Sequence, residues 1–402
     1  MAPSSEHLRQ LLGVRHPLIQ APMAGVQGHE LAVAASRAGA LGSLPSATFS
    51  PQALQTELQA LVAALGRGGE AAFPWALNFF CHAPPGPQAA DQEARWCEAL
   101  APWAREAGLA PAVPGGAARA PFSEALADLI EPFRPPVLSF HFGLPAPHLV
   151  ARVKRWGAKV LSSATTVEEA LWLEAHGADA VIAQGWEAGG HRGHFLRPDL
   201  DTAGQTGLFA LLPQVVQAVR VPVIAAGGVV DAATVQAALA LGAAGVQAGT
   251  VFLCCTEART SAVHRAALAG TVEGVGPHTE VTAAFTGRPA RALVNRWVRE
   301  SPQVRDRLPP FPLAAGALAG LRQASEATGR GDFSPLWAGQ NTRACRAVPA
   351  AQIVAELADG FGDPVSGSAG SHARPSQTSQ TLQPLEPFEP FEPFEPLPQR
   401  NA

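Results

Sequence analysis

Eight short apolar runs, most of them followed by a helical pattern, set the tightest limit on how this chain folds. The runs are PLIQ (17–20), ALGS (40–43), WALNFF (75–80), VLSFH (137–141), KVLSS (159–163), AVIAQ (180–184), PVIAA (222–226) and GVQAG (245–249). Between most of them lie HELAVAASRAG, PQALQTELQALVAAL, SEALADLIEPF, APHLVARVKRWG, TVEEALWLEAHG, LFALLPQVVQAV and AATVQAALALG, whose apolar residues recur at helical spacing. The runs barely alternate with polar residues, as expected of strands buried on both faces in a parallel sheet. Gly39, Gly157, Gly177 and Gly242 stand at helix ends, and the next strand starts within about four residues. A closed (β/α)8 TIM barrel and a doubly wound open sheet share this pattern. The strand count, and the lack of a G-x-G-x-x-G after the first strand, favour the α/β barrel.

The chain has 402 residues, 47% of them hydrophobic, enough to bury such a core. Residues 1–257 carry the barrel pattern. Residues 258–361 read as helices and loops, such as TSAVHRAALAG and AAGALAGLRQASEAT, expected to complete the outer ring and cover the barrel mouth. Residues 362–402 shift to Gly, Ser, Pro and Gln and then to EPFEPFEPFEPLP, read as a disordered, Pro-rich tail. The net charge of −4 comes without a basic patch, so nucleic acid is not expected as a partner. The opening MAPSSEHLRQLLG lacks the basic patch and apolar run of a signal peptide, and Gly and Gln break the most apolar stretch, so neither a leader nor a membrane span is expected. Five cysteines without C-x-x-C spacing argue for a reducing, cytoplasmic setting. A monomer or homodimer is expected.

In a barrel, the loops after the strand C-termini build the active site. Here these are APMAG (21–25), Asn78 with Phe79–Phe80, His141 with Gly143, SSATT (162–166), Gln184 to His191, AAGGVVD (225–231) and AGTVF (248–252). Gly227 and Gly228, and Gly249 with Thr250, fall in the last two, the loops that bind phosphate in many barrels. Singly they are ordinary tight turns; as a pair they point to an anion. His191 follows Gly189 and Gly190 at a strand end, where a ring that titrates near neutrality is placed for proton transfer. No His/Cys/Asp cluster has metal-ligand spacing, so no metal is expected. Arg288 and Arg291 suit either a salt bridge at the mouth or an anion. Glu187 reads as a solvated acid, His82 and His194 as surface-loop residues, and Cys81 as packing. Lysine occurs only at Lys154 and Lys159, neither at the top of a strand, which removes Schiff-base barrels from consideration.

The segments HPLIQAPMAG, ALNFF, VLSFHFGLP, AQGWEAGGHRG, VPVIAAGGVVDAATVQAALALGAAGVQAGTVF, FTGRPAR and LWAGQ together resemble the nitronate monooxygenases, FMN-containing barrels. The resemblance runs from about residue 14 to 345. It implies oxidation of alkyl nitronates, propionate 3-nitronate among them, by O2 to a carbonyl compound and nitrite. By the same likeness Asn78, Gln184, Gly189 and Gly228 match FMN contacts, with Gly190 and Gly227 beside them. Gln247, Ala248, Gly249 and Thr250 match the phosphate side. Ala21, Pro22 and Met23 match backbone along the flavin ring. His191 matches a histidine near the flavin N5, acting as base or anchor, and His141 is a substrate-pocket candidate. The likeness agrees with what a flavin needs: small residues against a flat ring, and amides that both donate and accept at its polar edge.

The family's cavities often hold tyrosines and a lysine, whereas this chain has no tyrosine. Trp186, Arg296, Trp297 and Trp337 are the candidates to replace them, and HFLRPDLDTAGQTG (194–207) is an insertion expected to reshape the mouth. The flavin-dependent enoyl-acyl-carrier-protein reductases, which use NAD(P)H, share the GGH and AAGG segments and form the alternative. HRG, SFHFGLP, FTGRPAR and LWAGQ favour the monooxygenase. A rival of another class is a flavin-free phosphate-binding barrel, or a scaffold recruited through the EPF repeats.

Overall fold

The eight apolar runs all form strands, and hydrogen bonding closes them into a parallel barrel. The computed structural model describes residues 4–66, 73–115, 119–198 and 200–362. The strands are β1 (Leu18–Gln20), β2 (Leu41–Pro45), β3 (Trp75–Phe80), β4 (Val137–His141), β5 (Lys159–Ala164), β6 (Ala180–Gln184), β7 (Gly190–His191), β8 (Val223–Ala226) and β9 (Gly245–Ala248). The barrel order is β1-β2-β3-β4-β5-β6-β8-β9, and β9 pairs back with β1. The open-sheet alternative is thereby excluded. The register sets Asn78 beside Ser139, Phe80 beside His141, Gln184 beside Ala226, and Gln20 beside Ala248.

Alternate residues fill the barrel and face the helices. Ile19, Leu41, Ala76, Val137, Leu161, Ile182 and Ile224 pack inside it together with Leu8 and Leu12 of the N-terminal helix Ser5–Leu12. That helix packs on the barrel bottom, and Gly245 makes room for it. A Cβ on Gly245 would lie 2.5 Å from Leu8 Cδ2 and collide with the Pro17 carbonyl. Gly245→Ala is therefore expected to destabilise the fold by about 1–3 kcal/mol, read as a lowered Tm. The outward-facing set, including Leu77, Phe79, Leu138, Phe140, Val160, Val181, Val223 and Val246, packs in two large clusters with the surrounding helices.

The region after residue 258 differs from the helices and loops expected of it. β10 (Thr279–Thr282) and β11 (Ala290–Leu293) form an antiparallel ribbon that β7 joins, with His191 opposite Ala290. β11 is buried on both faces and is rich in alanine, so it shows no alternation. Its pairing with β7 spans about a hundred residues, which no local pattern records. Two helices not foreseen, Ala89–Ala99 and Ala101–Glu106, pack against this ribbon region. Trp96 and Trp103 meet Trp297 edge-on at 5.9 and 5.2 Å between ring centres. The helix Ala350–Ala358 then returns to the barrel, between the helices His29–Arg37 and Ala232–Ala240. Of the tail read over residues 362–402, all but Gly362 lies outside the described residues. Among the described residues no helix is long and apolar enough to cross a membrane.

Candidate active site

The inward-facing residues change character toward the strand C-termini. Ala76 gives way to Asn78 and Phe80, Val137 to Ser139 and His141, Leu161 to Ser163, and Ile182 to Gln184. This switch, two residues at a time, marks the floor of a cavity at the C-terminal mouth. The residues matched from sequence to the flavin, the base and the pocket all line it: Ala21, Pro22, Met23, Asn78, His141, Gln184, Gly189, Gly190, His191, Gly227, Gly228, Gln247, Ala248, Gly249 and Thr250. Ser139, Ser163, Arg119 and Asn341 line it too, and the loop readings did not include Arg119 or Asn341.

The turn carrying His191 is held from below. The His191 carbonyl accepts from Gln184 Nε2 at 2.9 Å and from His141 Nε2 at 3.1 Å. Gln184 Oε1 accepts the Gly193 N–H at 2.8 Å. A carbonyl only accepts, so His141 carries its proton on Nε2, and Nδ1 accepts from Ser163 Oγ at 3.1 Å. Both His141 nitrogens are thus engaged, and burial pulls its pKa down to about 3. His141 lines the cavity as a neutral support for the neighbouring turn. The GGH turn also needs a bare backbone: a Cβ on Gly189 would lie 2.5 Å from Gly339 N.

His191 itself sits among Phe80, Phe142, Phe311 and Trp337, with ring centres 5.4–5.9 Å away. Its Nε2 lies 2.9 Å from Thr286 Oγ1. The Thr286 hydroxyl donates to the Arg288 carbonyl at 3.2 Å, so it accepts from His191 Nε2–H. Nδ1 has no protein partner among the described residues and is left to the cavity with its lone pair. Burial, then the charge of Arg119, hold the His191 pKa well below its ordinary value. Arg119, which also lines the cavity, forms no ion pair among the described residues. Its guanidinium lies 6.0 Å from the Phe311 ring centre, and burial lowers its pKa.

The turns after β8 and β9 line the cavity with glycine-rich backbone. Gly227 and Gly228 take φ of 123° and 72°, conformations that favour glycine. Among the described residues the N–H groups of Gly227, Gly228, Gly249 and Thr250, all in half-exposed residues lining the cavity, meet no protein acceptor. The APMAG loop is fixed by an amide network the loop-by-loop reading missed. Gln27 Oε1 accepts the Met23 N–H at 2.9 Å and Gln20 Nε2 at 3.0 Å, and Gln20 Nε2 also donates to the Ala21 carbonyl. On the third strand, Asn78 Nδ2 donates to Ser139 Oγ at 2.9 Å, which turns Oδ1 to the cavity.

Several side chains differ from their sequence reading. His82 and His194 are buried, His82 edge-on to Phe311 at 4.7 Å between ring centres. Glu187 is no free acid: it accepts the Leu208 N–H at 2.9 Å, at the first residue of the helix Leu208–Ala218. Arg288 and Arg291 are buried and structural. Arg288 donates to the His194 carbonyl and lies over Phe142 at 4.0 Å, and Arg291 donates to the Trp186 carbonyl at 3.0 Å. Of the four tyrosine substitutes only Trp337 lines the cavity. Trp297 is fully buried in the cap, Arg296 pairs with Glu106 and Glu300 on the surface, and Trp186 packs beside Arg192 and Arg291. Burial raises the Cys81 thiol, in keeping with a packing role. In the insertion, Gln205 accepts from Arg192 Nε at 2.7 Å. Away from the cavity His29, Glu30 and Glu57 come together, but Arg259 already bonds both carboxylates at 2.7 Å.

Comparison with known proteins gives a consistent relationship. The family model for nitronate monooxygenase matches residues 5–360. A nitronate monooxygenase from Paraburkholderia phytofirmans is 39% identical over 356 residues, 87% of this chain and 93% of that protein. The nitroalkane oxidase of Streptomyces ansochromogenes superposes with a TM-score of 0.77 at 36% identity, covering 88% of this chain and 98% of the other. FabK from Thermotoga maritima is more distant, with a TM-score of 0.66 and 26% identity over 90% of this chain and 96% of its own.

Proposed function

The chain belongs to the nitronate monooxygenase family of oxidoreductases, and on that premise we propose that it oxidises anionic alkyl nitronates with O2 on a bound FMN. The observation that carries this reading is the presence, in one cavity, of backbone N–H groups without a protein acceptor among the described residues, of a neutral His191, and of Arg119 with no ion-pair partner among those residues. The first set suits a phosphate: the four donors belong to the turns after β8 and β9, where glycines let a ligand approach closely. Ala21, Pro22, Met23, Gly189 and Gly190 offer backbone and small side chains to a flat ring. Asn78 Oδ1 and the second N–H of Gln184 offer an acceptor and a donor to its polar edge. When bound, the flavin supplies the redox chemistry between nitronate and O2.

The protein's own groups do the rest. Arg119 holds and orients the anionic substrate by a charge-assisted hydrogen bond in a site with little water. Phe80, Phe142, Phe311 and Trp337 exclude water around it. For the neutral nitroalkane form, His191 Nδ1 takes the α-proton while Thr286 keeps the ring from turning. His141 and Gln184 keep the His191 backbone in place. Oxygen uptake by the purified protein with propionate 3-nitronate tests the reading: nitrite should appear with O2 consumption and without NADH. NADH oxidation dependent on an enoyl thioester, with no uptake on nitronate, would replace this reading by the reductase one.

A further inference from the structure

A second cavity, of about 430 Å³, adjoins the first. Arg119 and Trp337 line both, so the two spaces meet at these side chains. Thr286, which accepts the His191 Nε2–H at 2.9 Å, lines the second cavity as well. The second space therefore begins one side chain away from the base. Its volume falls in the range of about 300–1,000 Å³ usual for small-ligand pockets.

One wall is a single helical face. Ala315 stands in the helix Ala314–Ala317, Leu318 continues the turn with helical backbone, and the helix Ala319–Ala327 follows. Ala315, Leu318, Ala319, Arg322, Gln323 and Glu326 recur at the spacing that puts side chains on one side of a helix, and all line the cavity. Phe285, Phe333 and Pro335 complete the apolar part of the lining with Trp337. The wall is built from small residues at 315 and 319, where a larger side chain would fill the space. The charges on the same face offset each other. Arg322 Nε donates to Glu326 Oε1 at 2.8 Å, and Ser334 Oγ donates to the same oxygen at 2.7 Å. That end of the cavity thus presents no uncompensated charge to a ligand.

We propose that this second cavity is a subsite for the apolar tail of the substrate, which makes medium-chain alkyl nitronates the preferred class. The proposal rests on the nitronate-oxidising reading. The nitronate head lies beside His191 in the first cavity, and the alkyl chain passes Arg119 and Trp337 into the second. Arg119 suits both parts: its charge meets the anionic head, and its methylene stem covers the chain. Trp337 gives the chain a large apolar surface to lie against. A substrate as short as ethyl nitronate does not reach the second cavity and gains nothing from it.

The test is oxygen uptake by the full-length protein on ethyl, butyl, hexyl and octyl nitronates. Each added methylene should raise kcat/KM by about two- to fourfold, as burial of a CH₂ predicts. Ala315→Phe should lower kcat/KM for octyl nitronate at least about tenfold and leave ethyl nitronate within about twofold, because it fills only the tail space. Ala319→Phe changes an exposed helix position on the same wall and should act in the same sense, whether or not Ala315→Phe folds. Calorimetric titration with butyrate, hexanoate and octanoate gives a readout without turnover. The Kd should fall with chain length in the wild type, and the trend should be lost in the variants. A protein that oxidises no nitronate yet shows this binding trend refutes the nitronate reading alone. Binding that ignores chain length, or variants that cost ethyl and octyl nitronate equally, overturns the tail subsite.

Discussion

His191→Gln is expected to lower kcat/KM for a neutral nitroalkane by about 10²–10⁴-fold, the usual contribution of a positioned general base. The loss for the matching nitronate should be much smaller, because that substrate has already given up its α-proton. The structural reason is the fixed proton on Nε2: Thr286 accepts it, and Nδ1 alone is left to the cavity. The pH profile follows from the same environment. Burial, then Arg119, His141, Arg288 and His82, disfavour the imidazolium. His191 is therefore a free base throughout the neutral range, and the acid limb of the free enzyme should fall below the ordinary histidine range rather than near pH 6.5. Steady-state kinetics on paired nitroalkane and nitronate substrates check both points. Equal losses on the two would show that His191 orients substrate instead of removing a proton.

Arg119→Ala should raise KM for propionate 3-nitronate by about 10- to 100-fold, the range expected when a hydrogen bond to a charged group is lost. The fold should survive, because among the described residues Arg119 makes no ion pair whose partner would be stranded. Arg119→Lys keeps the charge but loses the planar fork, and should recover part of the loss. An uncharged nitronate ester should respond little to either change. An unchanged KM for the acid would remove Arg119 from substrate binding.

The barrel was legible because each of its strands is buried on both faces and so appears as an unbroken apolar run. The candidate residues were legible for a related reason: glycine pairs and polar residues at run ends can only sit in the mouth loops. Arg119 was not, since it lies in VPGGAARAP, which carries no periodicity to place it above the barrel. Thr286 and the ribbon β7–β11–β10 were hidden because their contacts with His191 join segments about a hundred residues apart. Trp297 misled for the opposite reason. A tryptophan near a mouth looks like a cavity wall, but the helix carrying Trp96 and the neighbouring Trp103 bury it in the cap. Gln184 was named as a ring contact, yet its amide also holds the His191 turn, a use that only the folded turn reveals.

Comparing FMN with riboflavin tests the central claim most directly, because the two share the ring and differ at the phosphate. In the proposed complex that phosphate meets the N–H groups of Gly227, Gly228, Gly249 and Thr250, which have no protein acceptor among the described residues. Titration of flavin-free protein should give a Kd for FMN at least about 100-fold lower than for riboflavin, as several charge-assisted hydrogen bonds would produce. Equal affinity for both, or no binding of either, would contradict it.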